Sequence, residues 1–272
     1  MEQADALNLF ECARRCIAAG DVEAKLRLTR RCADAWREGR LPMMSTTAPE
    51  PIGDPGRPAR PRLVHPSQLK ARKLTTREGK ASFLHALAHI EFNAINLAWD
   101  AAYRFREMPA EYYADWIRVA EEEARHFDLL NRRLAEYGHE YGDFPAHDGL
   151  WHMARETAHD ILVRMALVPR VLEARGLDVT PSMIVRLRQC GDDASAAVLE
   201  TILRDEIGHV QAGTRWFHHV CRVRGLDPLE CFRGLLAGYA PGRIRAPFNR
   251  AAREQAGFGP REMALLEKLA GS

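Results

Sequence analysis

The spacing of apolar and polar positions divides the chain into helical stretches with clear punctuation. Residues 4–38 read as two short helices separated by Gly20-Asp21. Seven prolines between Pro42 and Pro66 exclude a helix there and leave an extended linker or a strap wrapped on the surface. Thr75 and Glu78 have capping-box spacing and open a long helix, from about Thr76 to Arg106, that ends at Met108-Pro109. A second runs from about Pro109 to Tyr137, a third from near Asp148 to Gly176, and a fourth from Asp192/Asp193 to about Arg224. "GLDVTP" after the third reads as a break, with a short helix near Ser182–Gln189. Beyond Leu226 the pattern predicts a mostly irregular extension with a last short helix near Pro260–Leu269. No strand-like alternation persists over four residues, so the predicted fold class is all-α. It consists of an N-terminal helical segment (1–41), a Pro-rich strap (42–66), an antiparallel four-helix bundle (67–225) and a C-terminal extension (226–272).

Polar residues interrupt the apolar stripes of all four long helices. The first helix carries Leu84, Leu87, Ala88, Ala94, Ile95 and Ala98 at helical spacing, with Glu91 in their midst. In the second, Glu123 and His126 break the run of Trp116, Val119, Ala120, Phe127 and Leu130. In the fourth, Glu206 and His209 break Leu199, Ile202, Leu203, Val210 and Phe217. Leu162, Ala166 and Pro169 lead down one face of the third to Glu173. An unpartnered ionised carboxylate is very unfavourable in an apolar interior. Two divalent ions would cancel four glutamates, and neutral imidazoles would add ligands without adding charge.

The spacing supports that arithmetic. Glu91 and Glu123 are 32 residues apart and Glu173 and Glu206 are 33 apart, with a helix break near each midpoint. The same plan, a Glu, a turn and a Glu-x-x-His, therefore occurs twice. One Glu from each of two helices and one Glu-x-x-His from each of the other two make the ligand set of ferritin-like dimetal bundles. Two further Glu-x-x-His occurrences do not fit. Glu136/His139 spans Gly138, and His159 lies roughly 21 Å along the axis from Glu173 at 1.5 Å per residue. His85 and His89, with Ser82, Asn93 and Asn96, read as a polar seam away from Glu91, and His218-His219 as surface. Pro169 either tilts Glu173 or curves its helix. The small residues near the ligands, including Gly213, leave a cavity or let helices approach closely.

Composition bounds the rest. The chain has 272 residues, 46% hydrophobic and 28% charged, an ordinary globular mixture. No apolar run approaches the ~18 residues needed to span a membrane. "MEQADALNLF" lacks a signal-peptide pattern, so the expected location is the cytoplasm. The six cysteines form no C-x-x-C pair and are expected to be reduced thiols. Net charge is +2, unevenly spread: eight Lys/Arg face one acid between Arg57 and Lys80, and seven Arg face two acids between Arg222 and Arg253. Such flanks suit either a polyanionic partner or simple solvation.

"HALAHIEFNAINLAWD", "EEEARHF", "MALVPRVLEARGLDVTP" and "DEIGHVQAG" resemble the bacterial ferritin-like family catalogued as domain of unknown function 455, over roughly residues 60–250. The resemblance implies the ferritin-like bundle with Glu91, Glu123, His126, Glu173, Glu206 and His209 as metal ligands, and supplies no substrate. "EEARH" and "DEIGH" resemble motifs of carboxylate-bridged diiron oxygenases, which implies that Glu122 and Asp205 support ligand histidines from behind, unless both face water. "LEARG" resembles the Glu-Ala-Arg of the diiron tRNA hydroxylase that acts on isopentenylated adenosine. The leading expectation is an oxidoreductase with two metal ions, iron first, manganese or a mixed iron/manganese pair second. Its partners would be O₂ or peroxide, an organic substrate, an electron donor and, in one version, tRNA held by the basic flanks; no membrane is expected. Metal storage or sequestration and a metal-free helical scaffold are the alternatives.

Overall fold

The computed structural model describes residues 8–44, 48–70, 72–240, 242 and 244–271; residues 4–7 of the expected first helix lie outside that set. The described residues are all-α: they contain no strand, and their only β feature is an isolated bridge between Leu63 and Ala146. None of the described helices is long and apolar enough to cross a membrane. The chain divides into two compact units, residues 1–155 and 156–272.

The first unit holds α1 (Leu9–Ala18), α2 (Val22–Arg37), α3 (Arg77–Arg104), α4 (Ala110–Glu136) and α5 (Gly149–Glu156). Thr76 caps α3, accepting from the Gly79 N–H, one residue later than the sequence suggests. At this same end, Arg77 donates to the Glu136 and Tyr137 carbonyls at the end of α4, so the two long helices run antiparallel. From Glu91 to Tyr103 every position of α3 is buried, which a single apolar stripe does not anticipate. The polar residues among them find partners. Lys25, fully buried, donates to the Cys16 and Ile17 carbonyls at the end of α1 and to Asn96 Oδ1 on α3, at 2.7, 3.0 and 2.6 Å. Three oxygens match the three N–H groups of an ammonium, while burial pushes the Lys25 pKa down to about 7. Asp100 accepts from Arg104, and Trp99 Nε1 donates to Thr29. The Pro-rich segment is a strap on this unit: Gly56 N–H donates to Ile17 O, Glu50 N–H to Tyr103 Oη, and Trp151 Nε1 to Gly53 O.

The second unit departs from expectation in two places. The expected third helix is divided: α5 stops at Glu156, Asp160 caps a new helix, α6 (Ile161–Leu167), and a π-turn (Val168–Glu173) follows. The expected break at "GLDVTP" does not occur, because α7 (Ala174–Gln189) continues through Pro181. Proline cannot donate to the carbonyl four residues back. That carbonyl, Leu177 O, accepts instead from Asn249 Nδ2 at 3.2 Å. Helix α8 (Asp193–Val223) returns alongside, and Arg224 at its end pairs with Asp160 at the start of α6.

The C-terminal extension is more helical than expected: α9 (Pro228–Tyr239) and α10 (Arg250–Gln255) precede α11 (Pro260–Ala270), which falls where predicted. The start signal of α9 is local, Asp227 accepting from Glu230 N–H with Pro228 in the first turn. Two buried ion pairs seat the extension. Arg253 on α10 grips Asp178 on α7, with Nη2 2.7 Å from Oδ2, and Glu262 on α11 accepts from Arg170.

Asn249→Ser retains a capping oxygen for α10 but removes the amide that serves Leu177 O. It should lower unfolding stability by about 1–3 kcal/mol in denaturant titration, whereas an unchanged midpoint would show that Pro181 needs no substitute donor. Burial alone would raise the Glu262 carboxyl, but His218, Arg170 and the Gly259 N–H outweigh it and hold its pKa down to about 2. A carboxyl lowered in the folded state contributes stability above its unfolded pKa and loses it as pH falls toward the folded value. The melting temperature of the wild type should therefore drop between pH 4.5 and 2 more steeply than that of Glu262→Gln.

Candidate metal centre

Glu91 lies mid-helix on α3, and Glu123 and His126 share one face of α4, three residues apart. Antiparallel packing brings the three level. Their ligand atoms lie within 4.8 Å of one another, His126 Nδ1 standing 3.4 Å from Glu123 Oε2 and 3.8 Å from Glu91 Oε2. Water hardly reaches them: Glu91 is 5% exposed, Glu123 and His126 0%. Burial and the neighbouring Glu123 carboxylate raise the Glu91 pKa well above its ordinary value. Burial would push His126 down, but the Glu123 and Glu91 carboxylates outweigh it and lift its pKa to about 11. Two buried carboxylates thus hold each other's charge in check through protons on Glu91 and His126.

The second unit repeats the Glu-x-x-His geometry. On α8, His209 Nδ1 stands 3.3 Å from Glu206 Oε1, with the imidazole fully buried and the carboxylate nearly so. Glu173, half-buried with one carboxylate oxygen sealed from solvent, is the last residue of the π-turn. Within each unit, then, the geometry groups Glu91, Glu123 and His126, pairs Glu206 with His209, and places Glu173 at a helical irregularity. The donor set of carboxylates and imidazoles fits a divalent first-row ion, for which such oxygen and nitrogen ligands are suited. Each of the two acids expected either to support the histidines or to face water lies near an arginine: Glu122 accepts from Arg118 at 2.9 Å, and Asp205 lies 3.7 Å from Arg204 Nε.

The residues set aside as ligands have other partners. His89 stands 2.8 Å from Tyr141 Oη and 3.1 Å from both His147 O and Asn93 Nδ2, while His85 accepts from Gly142 N–H and stacks on Tyr141. Asn96 belongs with Lys25 rather than to this seam. His159 is exposed and stacks on Tyr239, while His218 approaches Glu262 at 3.6 Å. Sequence reasoning missed Tyr141, whose ring packs on Phe92 and Phe127, the residues that directly follow Glu91 and His126. Only its place in the loop after α4 could have drawn attention to it. Several arginines of the basic flanks pair with acids of their own unit. Arg57 meets Asp148, Arg60 meets Glu140, Arg72 meets Glu78, Arg224 meets Asp160, and Arg250 meets Glu254 and Glu267.

An all-α chain with a buried carboxylate–imidazole cluster and a second Glu-x-x-His pair defines a class of candidate metal carboxylate proteins. This chain belongs to the family described as "Protein of unknown function (DUF455)", which matches residues 18–264. It is similar to an uncharacterized protein of Haemophilus influenzae, 51% identical over 219 residues that make up 78% of this chain and 76% of the relative. No solved structure matches.

In the metal-free protein His126 should remain an imidazolium through neutral pH, and Glu123→Gln should let it titrate well below the wild-type value. NMR of the ring nitrogens reads this directly; a wild-type His126 that loses its proton alongside surface histidines would contradict the assigned electrostatics.

Proposed function

We propose that this chain is a ferritin-like dimetal carboxylate protein, with Glu91, Glu123 and His126 as one half of the ligand set and Glu173, Glu206 and His209 as the other. The observation that supports this most strongly is the buried cluster of Glu91 and Glu123 around His126, with the pKa of Glu91 raised by burial and by Glu123, and that of His126 raised against burial by both carboxylates. A buried acid or imidazole must release its proton before it can serve as a metal ligand. To hold an ion, Glu91 would give up its proton and His126 would become neutral and offer a ring nitrogen, so that Glu91, Glu123 and His126 would serve as ligands. The repeat of Glu-x-x-His on α8 gives the second ion the same donor types. Glu122 and Asp205 would orient the ligand histidines from behind.

Iron is the first expected metal, with manganese or a mixed pair next, since carboxylate and imidazole donors suit both. When bound, such a pair supplies electrons to O₂ or peroxide, which makes oxidation or hydroxylation of an organic substrate the reaction class we favour. The chain's own part is to hold the ligands in a site from which water is largely excluded and to take up or release protons at Glu91 Oε and at the His126 ring.

Purified protein reconstituted with Fe(II) or Mn(II) should hold about two ions per chain, as the ligand count implies. Metal analysis after gel filtration should show this loading lost in Glu123→Ala and in Glu206→Ala, and kept in His159→Ala. Equal losses in all three, or no loading of the wild type, would remove the reading.

A further inference from the structure

The π-turn that ends on Glu173 is held from two sides. On one, Pro169 packs so closely against Gly213 of α8 that a Cβ on that glycine would lie 2.2 Å from Pro169 Cγ. On the other, the Arg170 side chain is fully buried in a box of three aromatic rings. Its guanidinium carbon lies 4.5 Å from the centre of Phe217, 4.2 Å from Phe232 and 4.7 Å from Phe258. One nitrogen, Nη2, donates to Glu262 of α11, while Nε and Nη1 reach no hydrogen-bond partner. Glu262 is itself fixed by the Gly259 N–H at 2.9 Å.

As a stabilising device this arrangement is poor. A buried ion pair seldom outperforms well-packed apolar groups, and two unsatisfied donor atoms make it worse. What a planar guanidinium adds is direction, because three ring faces and one carboxylate admit it in one orientation. Direction matters here because a π-turn carries one more residue than an α-turn. A return to α geometry across Val168–Glu173 would rotate Glu173 by roughly 100° about the helix axis. We propose that Arg170 is a positioning residue: locked in its aromatic box, it holds the π-turn in register and so sets where the Glu173 carboxylate points. The proposal rests on the dimetal reading, in which Glu173 is a ligand. It gives the C-terminal extension a purpose, since Phe232, Phe258 and Glu262 all come from it.

Cobalt(II) titration of the full-length chain tests this, following the visible ligand-field bands together with bound metal per chain. Arg170→Met keeps the bulk in the box and removes the direction. It should bind one of the two ions at least tenfold more weakly, the range usual for residues that orient ligands, with altered bands and wild-type helicity by circular dichroism. Gly213→Ala, which disturbs the same turn through Pro169, should reproduce that change. Arg170→Lys, able to keep its charge against Glu262, should regain part of the affinity. Asn249→Ser, a lesion in the same extension away from the turn, should leave both ions and both sets of bands unaltered. Unchanged bands in Arg170→Met and Gly213→Ala, or an equal loss in Asn249→Ser, would overturn the positioning role while leaving the dimetal reading intact. A wild type that takes up no cobalt would overturn both.

Discussion

Two carboxylates and one imidazole share a space from which water is nearly absent, and like charges so placed cannot persist without cations between them. In the metal-free chain protons play that part, one raised onto Glu91 and one retained on His126. Much of the first unit serves to keep this arrangement dry. Helix α3 is buried on every face from Glu91 to Tyr103, with α1, α4 and the Pro-rich strap packed around it. A helix so enclosed must satisfy its polar residues internally. Asn96 is matched to Lys25, Asp100 to Arg104 and Asn93 to His89, so little polar surface remains to draw water toward the glutamates.

The second unit solves a different problem, that of two prolines in a helix whose last π residue is a candidate ligand. Pro169 is absorbed by a wide turn seated on Gly213, and Pro181 by an amide borrowed from Asn249. Both accommodations depend on groups distant in sequence. The extension after Arg224 is therefore part of the helical core of its unit, pinned by Arg253 to Asp178 and by Glu262 to Arg170.

These electrostatics also bear on partners. Arginines that looked like a basic stripe are in several cases engaged with acids of their own unit, which lowers the free positive charge available to a polyanion. The buried cluster of glutamates and histidines, by contrast, lies inside the protein.

How much of this was legible in advance depends on the range of the interaction concerned. Helix boundaries set by local caps, such as Thr76 before α3 and Asp192 before α8, were readable to within a residue or two, because a cap and its first turn are close in sequence. The recurrence of a Glu, a turn and a Glu-x-x-His was equally plain, since helical period alone puts Glu123 with His126 and Glu206 with His209 on common faces. The sequence by itself determined the all-α class, the candidate ligands and the charge conflict they create. Only tertiary structure decided that α7 runs through Pro181, that Glu173 closes a π-turn and that Arg170 is boxed by three phenylalanines. Each of those depends on a donor, a ring or a charge brought from dozens of residues away, and no local pattern encodes what the far end of the chain will supply.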